Sequence, residues 1–471
     1  MLLSPKLEIA LIAAGMVALA ARLYERTHTI EDILYARRQL SAPLAELSLV
    51  LSQTPPWLLA ALAIAAYRLG AAALWIALSA WLGVVVGALW LAPRARRHLQ
   101  AHHSHTLARL INPHVGAQWL LTIRRSATLV VVVCCGLTIG VQLQWLAAQL
   151  ALLTEMPAWL MFVCSVAVLL FCGLIGGLWM AAIVDATLAV ALVVIGAMIA
   201  VSASAHSWPL AVGAELMVRG IAWHEGVLAF AFALGSLFLA AGGLAQPAAI
   251  SRYLAQSEQS ARRIAPLSLV WAALALAVAL ILGWSARAQS PMPEPLAALS
   301  QWMSPATAQT AWTALLCIGM ASLLGNCIAA ASSIAHDGLT LRDRPLTSQE
   351  LGHYRWSFVA VLAFASAIGI RIAGIDALWF AWHALTASLA PLLIVRLSGK
   401  KLRPGSTLGS IWTGFGLTAI FHILPDTPGD LLERGVPFVA ALGVALSGGE
   451  RRRNPDRADR GDRTVHDHLP I

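Results

Sequence analysis

Stretches of roughly 20 apolar residues recur along nearly the whole chain, and nothing else in the sequence limits its fold so severely. A helix needs about 20 such residues to cross about 30 Å of hydrocarbon. Thirteen windows meet that length, at about 6–24, 43–69, 71–92, 118–150, 157–180, 182–204, 225–251, 264–286, 308–337, 354–371, 375–397, 408–425 and 435–449. With 59% hydrophobic and 12% charged residues and a mean hydropathy of +0.74, the composition is outside the soluble range. The expectation is an all-α integral membrane protein of about 13 transmembrane helices embedded in a lipid bilayer.

An odd number of spans puts the termini on opposite sides, and the 32 Lys and Arg residues test that arrangement. Laid on the thirteen spans, 26 fall on one side and only Lys6, Arg68, Arg219, Arg287, Arg371 and Arg434 on the other. The positive side is cytoplasmic, so the N-terminus is expected outside and the C-terminus inside a bacterial inner membrane. The net charge of +9 therefore reports orientation on a membrane, and no nucleic-acid partner is expected. The first span is expected to stay as a helix, since it lacks a cleavage signal. The six cysteines fall within spans and imply no disulfide framework. His102, His103 and His105 lie in a basic connection without a carboxylate or thiol nearby, which suits a solvated loop. The Arg- and Asp-rich segment from about Gly448 has the composition of a disordered tail.

Two of the spans are interrupted. In the second, Ser52, Gln53, Thr54, Pro55, Pro56 and Trp57 break the apolar run, and consecutive prolines remove two backbone donors. In the seventh, Gly242, Gly243, Leu244, Ala245, Gln246 and Pro247 do the same. Unpaired backbone groups at bilayer depth are tolerated where they line a polar cavity, as in secondary transporters. The breaks stand five spans apart, which points to two inverted five-helix repeats. The alternative is a pair of independent proline kinks.

Around these positions the sequence resembles the sodium/solute symporters, in particular the bacterial sodium/proline symporter branch. Gly242 to Ala255 is similar to that branch's glycine-rich segment, with Gln246, Pro247 and Arg252 in register; Gly176, Gly177, Asp185 and Thr187 resemble its Gly-Gly element and the acidic residue opening its sixth helix. Ser332, Ser333 and Asp337 resemble the end of the ninth helix, and Ala381, Trp382 and Pro391 the eleventh. The resemblance implies a leucine-transporter-type 5+5 inverted repeat that moves a small organic solute, an amino acid or organic acid, by alternating access. The expected organisation is an extra first helix and cytoplasmic connection over 1–40 and a first repeat over 41–204. A second repeat would follow over 205–400, two further helices over 401–449, and a disordered tail over 450–471.

The resemblance also implies a sodium-like site formed by carbonyls of Leu51 and Thr54 with contributions from Gly319, Ser322 and Leu323, hard oxygens suiting a small cation. Leu323 departs from it, because the family expects a hydroxyl there. Gln53 stands where the proline branch has an aspartate, and Pro55 where it has a serine. Asn326 lies one turn beyond Ser322 and faces roughly the same way. The implied solute pocket comprises Gln53, Trp57, Leu239, Gly243, Gln246 and Pro247, with Leu239 and Gly243 replacing an aromatic pair. Sodium, a proton or no ion at all is left open as the driving partner, and no other cofactor is expected.

Of the remaining polar residues, Asp185 serves either transport or the start of its helix, and Arg124 and Arg125 are expected to snorkel to the cytoplasmic surface. Gln142, Gln144 and Gln149 line a cavity or bond between helices. His383, beside Trp382, is either a proton-linked group or a hydrogen-bonded interfacial histidine. No nucleophile, metal cluster or phosphate loop appears, so no enzyme is expected. Transport and solute sensing without coupled transport are the two classes left; the tail of about 22 residues is too short for a signalling module.

Overall fold

The computed structural model describes residues 4–36, 39–101, 106–111, 117–204, 227–255, 258–287, 300, 304–338, 348–424, 427, 430–448 and 450–451. The His102, His103 and His105 cluster, Arg219 and almost all of the tail lie outside them. The described residues are nearly all helical. In order they form α1 (Pro5–Leu23), α2 (Ile30–Tyr35), α3 (Ala42–Gln53), α4 (Pro56–Leu69), α5 (Ala73–Val86), α6 (Ala92–Ala101), α7 (Leu107–Ile111), α8 (Ala117–Thr154) and α9 (Ala158–Ser204). There follow α10 (Val227–Leu237), α11 (Leu239–Gly242), α12 (Pro247–Ala255), α13 (Glu258–Arg287), α14 (Pro305–Ala321) and α15 (Leu324–Ser333). The last four are α16 (Ser348–Arg371), α17 (Ile375–Leu397), α18 (Pro404–Ile423) and α19 (Leu431–Ser447). Two short strands, β1 (Lys400–Lys401) and β2 (Glu450–Arg451), pair antiparallel.

Among the described residues, eight helical stretches are long and apolar enough to cross a membrane, or nine if the bent α10–α12 segment is one span. The most apolar windows of α17 and α8 are 83% and 78% buried, and that of α1 only 17%, so α17 and α8 form the centre and α1 the rim. Outward-facing Leu152, Trp159, Val163 and Phe230 are exposed, an outer surface suited to hydrocarbon rather than water. Inside, small residues bring backbones together: Gly140 of α8 lies against Gly369 of α16, and Gly283 of α13 against the Ala63 carbonyl of α4.

The boundary expected between the fifth and sixth spans, near residue 181, falls instead at Gly177 inside α9. Its φ of 51° and ψ of −143° kink the helix there. A Cβ at this position would stand 2.8 Å from the Ile33 backbone of α2, so both conformation and close approach require glycine. Gly177→Ala is expected to lower stability by about 1–3 kcal/mol; a melting temperature equal to that of the unaltered protein would contradict this. Because the helix resumes at Leu178, Asp185 lies two turns inside it and not in its first turn, where dipole capping would have placed it.

Candidate functional site

Both interrupted spans break where the prolines stand. The Thr54 N–H still reaches the Val50 carbonyl at 2.7 Å and closes α3. Pro55 and Pro56 carry no N–H, so the Leu51 and Ser52 carbonyls lose their helical donors, and α4 begins at Pro56. In the second break a single 3-10 turn, Gly243–Ala245, leads to Gln246 in extended conformation before α12 begins, and the chain bends by 51°. Pro247 leaves the Gly243 carbonyl without its helical donor in the same way. The Gln246 side chain donates to the Gly242 carbonyl at 3.1 Å.

A third irregularity was not legible in the apolar run at 308–337. Between α14 and α15 the Leu323 N–H donates to the Met320 carbonyl, three residues back. The chain tightens there without a proline. Ser322 turns its hydroxyl onto the Gly319 carbonyl at 2.7 Å. Gly325, just beyond, was the available signal: a Cβ on it would stand 2.7 Å from the Arg252 guanidinium.

These three irregular segments converge on one cleft at the centre of the molecule. Of the residues singled out in the sequence, Leu51, Trp57, Gln246, Ser322, Leu323, Asn326, Asp185 and Trp382 line it, together with Gln142, Cys134, Cys135, Thr138 and Arg252. Gln53, Thr54, Leu239, Gly243, Pro247, Gly319 and His383 do not. Leu239 is buried, and a Cβ on Gly243 would stand 3.5 Å from the backbone of Gly83 on α5. Pro247 borders a smaller recess with Tyr35, Ser332 and Ser333.

Around the sodium-like position the oxygens are mostly engaged within their own helices. Thr54 Oγ1 donates to the Val50 carbonyl at 2.8 Å, and Ser322 Oγ to Gly319 as described. Leu323 brings a hydrocarbon side chain to the cleft wall. The carbonyl of Leu51, released by Pro55, is the acceptor that the break itself supplies.

Beside this position lies a buried ion pair. Arg252 of α12 donates from Nη2 to Asp185 Oδ2 of α9 at 2.7 Å, and from Nε to Ser48 Oγ of α3 at 2.9 Å. Ser48 donates in turn to the same Asp185 oxygen at 2.7 Å. The Arg252 Nη1 caps the Ala248 carbonyl at 2.7 Å. Side-chain exposure is 1% for Arg252 and 3% for Asp185, so the charges are compensated by each other rather than by solvent. One residue beyond Arg252 on α12 and five beyond Ser48 on α3, a second tie joins these two helices: Gln53 Nε2 donates to Tyr253 Oη at 2.9 Å. Gln53 fits because Gly87 opposite has no side chain; its Oε1 stays buried without a partner among the described residues. Ser48 attracted no attention in the sequence, where a lone serine in an apolar run is unremarked.

The other wall is aromatic. Trp57 meets Trp379 and Trp382 edge-on, with centroids 5.1 and 5.6 Å apart. Trp382 lies flat against Gly242, where no side chain intervenes. Away from the cleft, Arg124 is buried instead of snorkelling, while Arg125 is exposed. Gln142 donates to the Thr138 carbonyl of its own helix at 3.0 Å.

No family model and no curated protein matches the chain. Among solved structures, the fold is similar to that of a sodium-coupled sialic acid symporter captured in a substrate-bound outward-open state. The TM-score is 0.75 over 96% of this chain and 99% of that one, at 12% identity. The likeness establishes the architecture: an all-α membrane protein of the leucine-transporter type.

Proposed function

We propose that this protein is a secondary active transporter of the sodium/solute symporter type, carrying a small organic solute across the cytoplasmic membrane of a bacterium by alternating access. The observation that carries the reading is the convergence of two proline-broken spans on one central cleft, with released backbone carbonyls on one wall and Trp57 and Trp382 on the other. Such a cleft offers dipoles to an ion and flat apolar faces to a solute, and half-helices that can move against the rest. The thirteen spans, with repeats over spans two to six and seven to eleven and an outside N-terminus, belong to the same proposal; the 26-to-6 distribution of positive charge supports the orientation.

Uptake into proteoliposomes is the test, using radiolabelled amino acids, organic acids and a sialic acid, the last because the similar structure carries it. At least one of them should accumulate, and none accumulating in either gradient direction would overturn the reading. If Ser322 holds sodium, Ser322→Ala should reduce stimulation by a sodium gradient about tenfold, equivalent to ~1.4 kcal/mol. A second reading has its own support. Leu323 presents a hydrocarbon side chain to the cleft and supplies no side-chain oxygen, which favours a carrier that does not depend on sodium. Uptake indifferent to sodium would select it.

A further inference from the structure

On α17, one residue beyond Trp382 of the cleft wall, three titratable side chains from three helices meet at one atom. His383 Nδ1 of α17 lies 3.3 Å from Glu433 Oε1 of α19, and His422 Nδ1 of α18 lies 3.1 Å from the same oxygen. A carboxylate only accepts, so both imidazoles bear hydrogen on Nδ1. In its neutral form His383 is then left with a bare Nε2, and that atom is buried with no hydrogen-bond partner among the described residues. The ring is 4% exposed, whereas that of His422 is 33% exposed, so the cluster has one wet end and one dry end.

The surrounding charges favour one more proton. Arg434 and Asp430, on and beside the first turn of α19, pair with each other. Of the other helices packed on α17, α18 and α19, namely α7, α8, α10 and α11, none brings a charged group that acts on His383 among the described residues. With both imidazoles neutral the group of five carries one uncompensated negative charge, on Glu433; one added proton makes it neutral. In a low-dielectric setting that is the favoured balance.

The dry end touches the cleft wall. His383 stacks on Trp379 at 5.6 Å with planes 20° apart, and the Arg434 guanidinium lies 5.0 Å over the same indole. Trp379 in turn meets Trp57, the second residue of α4 after the first break. We propose that His383, Glu433 and His422 form a proton-binding site, entered through His422 and held at His383, whose occupancy is passed through Trp379 to Trp57 and the broken helix. The link to transport rests on the function proposed above; proton binding does not.

The experiment therefore uses full-length protein in lipid nanodiscs, without solute or gradient. Proton uptake is measured by electrode while unbuffered samples are brought from about pH 8 to about pH 5.5, the range in which histidine titrates. His383→Gln and Glu433→Gln should each bind one proton fewer than the unaltered protein. Trp379→Phe should bind as many, yet lose the fall in indole fluorescence that accompanies uptake. The same proton count in all three variants as in the unaltered protein would overturn the proposal, as would a fluorescence response that survives in Trp379→Phe. The unaltered protein gives a check that needs no substitution: with 15N-labelled histidine, one buried Nε2 resonance should pass from the bare to the protonated position over this range. Its absence would overturn the site and leave the transporter reading standing.

Discussion

Asp185→Asn lowers the stability of the folded protein by about 3–5 kcal/mol, the usual effect of removing one partner from a buried ion pair. The substitution keeps the size of the side chain and its place beside Ser48, so packing changes little. What changes is charge. The Arg252 guanidinium, 1% exposed and wedged against Gly325, keeps neutral partners in Ser48, Ser251 and the Ala248 carbonyl but loses the anion that compensated its charge. Thermal unfolding of full-length protein in detergent or nanodiscs reads the loss, and an unchanged midpoint would refute it. Removing both charges together, as Asp185→Leu with Arg252→Met, should recover most of the stability, because two buried charges are exchanged for hydrocarbon of similar volume. The double variant should nevertheless transport poorly. The pair is where α3, α9 and α12 are held in one register, and α3 is the first part of one broken span and α12 the last part of the other.

Gly242→Ala is expected to abolish most uptake while the next substitution along, Gly243→Ala, leaves it near normal. A Cβ on Gly242 would fall onto the indole of Trp382, 2.7 Å from Cζ2 and nearer still to Nε1. Backbone on one side and a cleft on the other leave the indole one way to move, into the cleft. Forcing an extra methyl into a packed site costs about 1–3 kcal/mol. If that strain is relieved by displacing Trp382, the same energy appears as a loss of roughly fivefold to more than a hundredfold in solute uptake. On Gly243 the nearest atoms to a Cβ are 3.5 Å away, an ordinary contact. Initial rates of uptake by the two variants decide the matter; equal rates would mean that Trp382 does not bound the solute path.

Much of this architecture was readable because a membrane leaves a chain few choices. Hydrocarbon demands apolar helices of fixed length, and proline cannot donate; those two rules gave the all-helical membrane architecture and both breaks, at Pro55–Pro56 and at Pro247. The kink at Gly177 was misplaced by four residues, since a glycine in an apolar run signals a close approach only once the neighbour, Ile33, is known. The step at Ser322–Leu323 carries no proline at all and was invisible. Gln53 drew notice as the residue in an aspartate's place; what it does, bonding Tyr253 two hundred residues away, is a matter of contact and not of pattern.

By itself, then, the sequence determined that this is a multi-spanning helical protein with two apolar helices broken at prolines, because apolar length and missing N–H groups are local properties that no partner can alter. Which polar side chains face one another was decided only by the tertiary structure. Ser48 with Arg252 and Asp185, Gln53 with Tyr253, and His383 with His422 and Glu433 each join separate helices, and in an apolar interior a polar group is fixed by the partner that satisfies it.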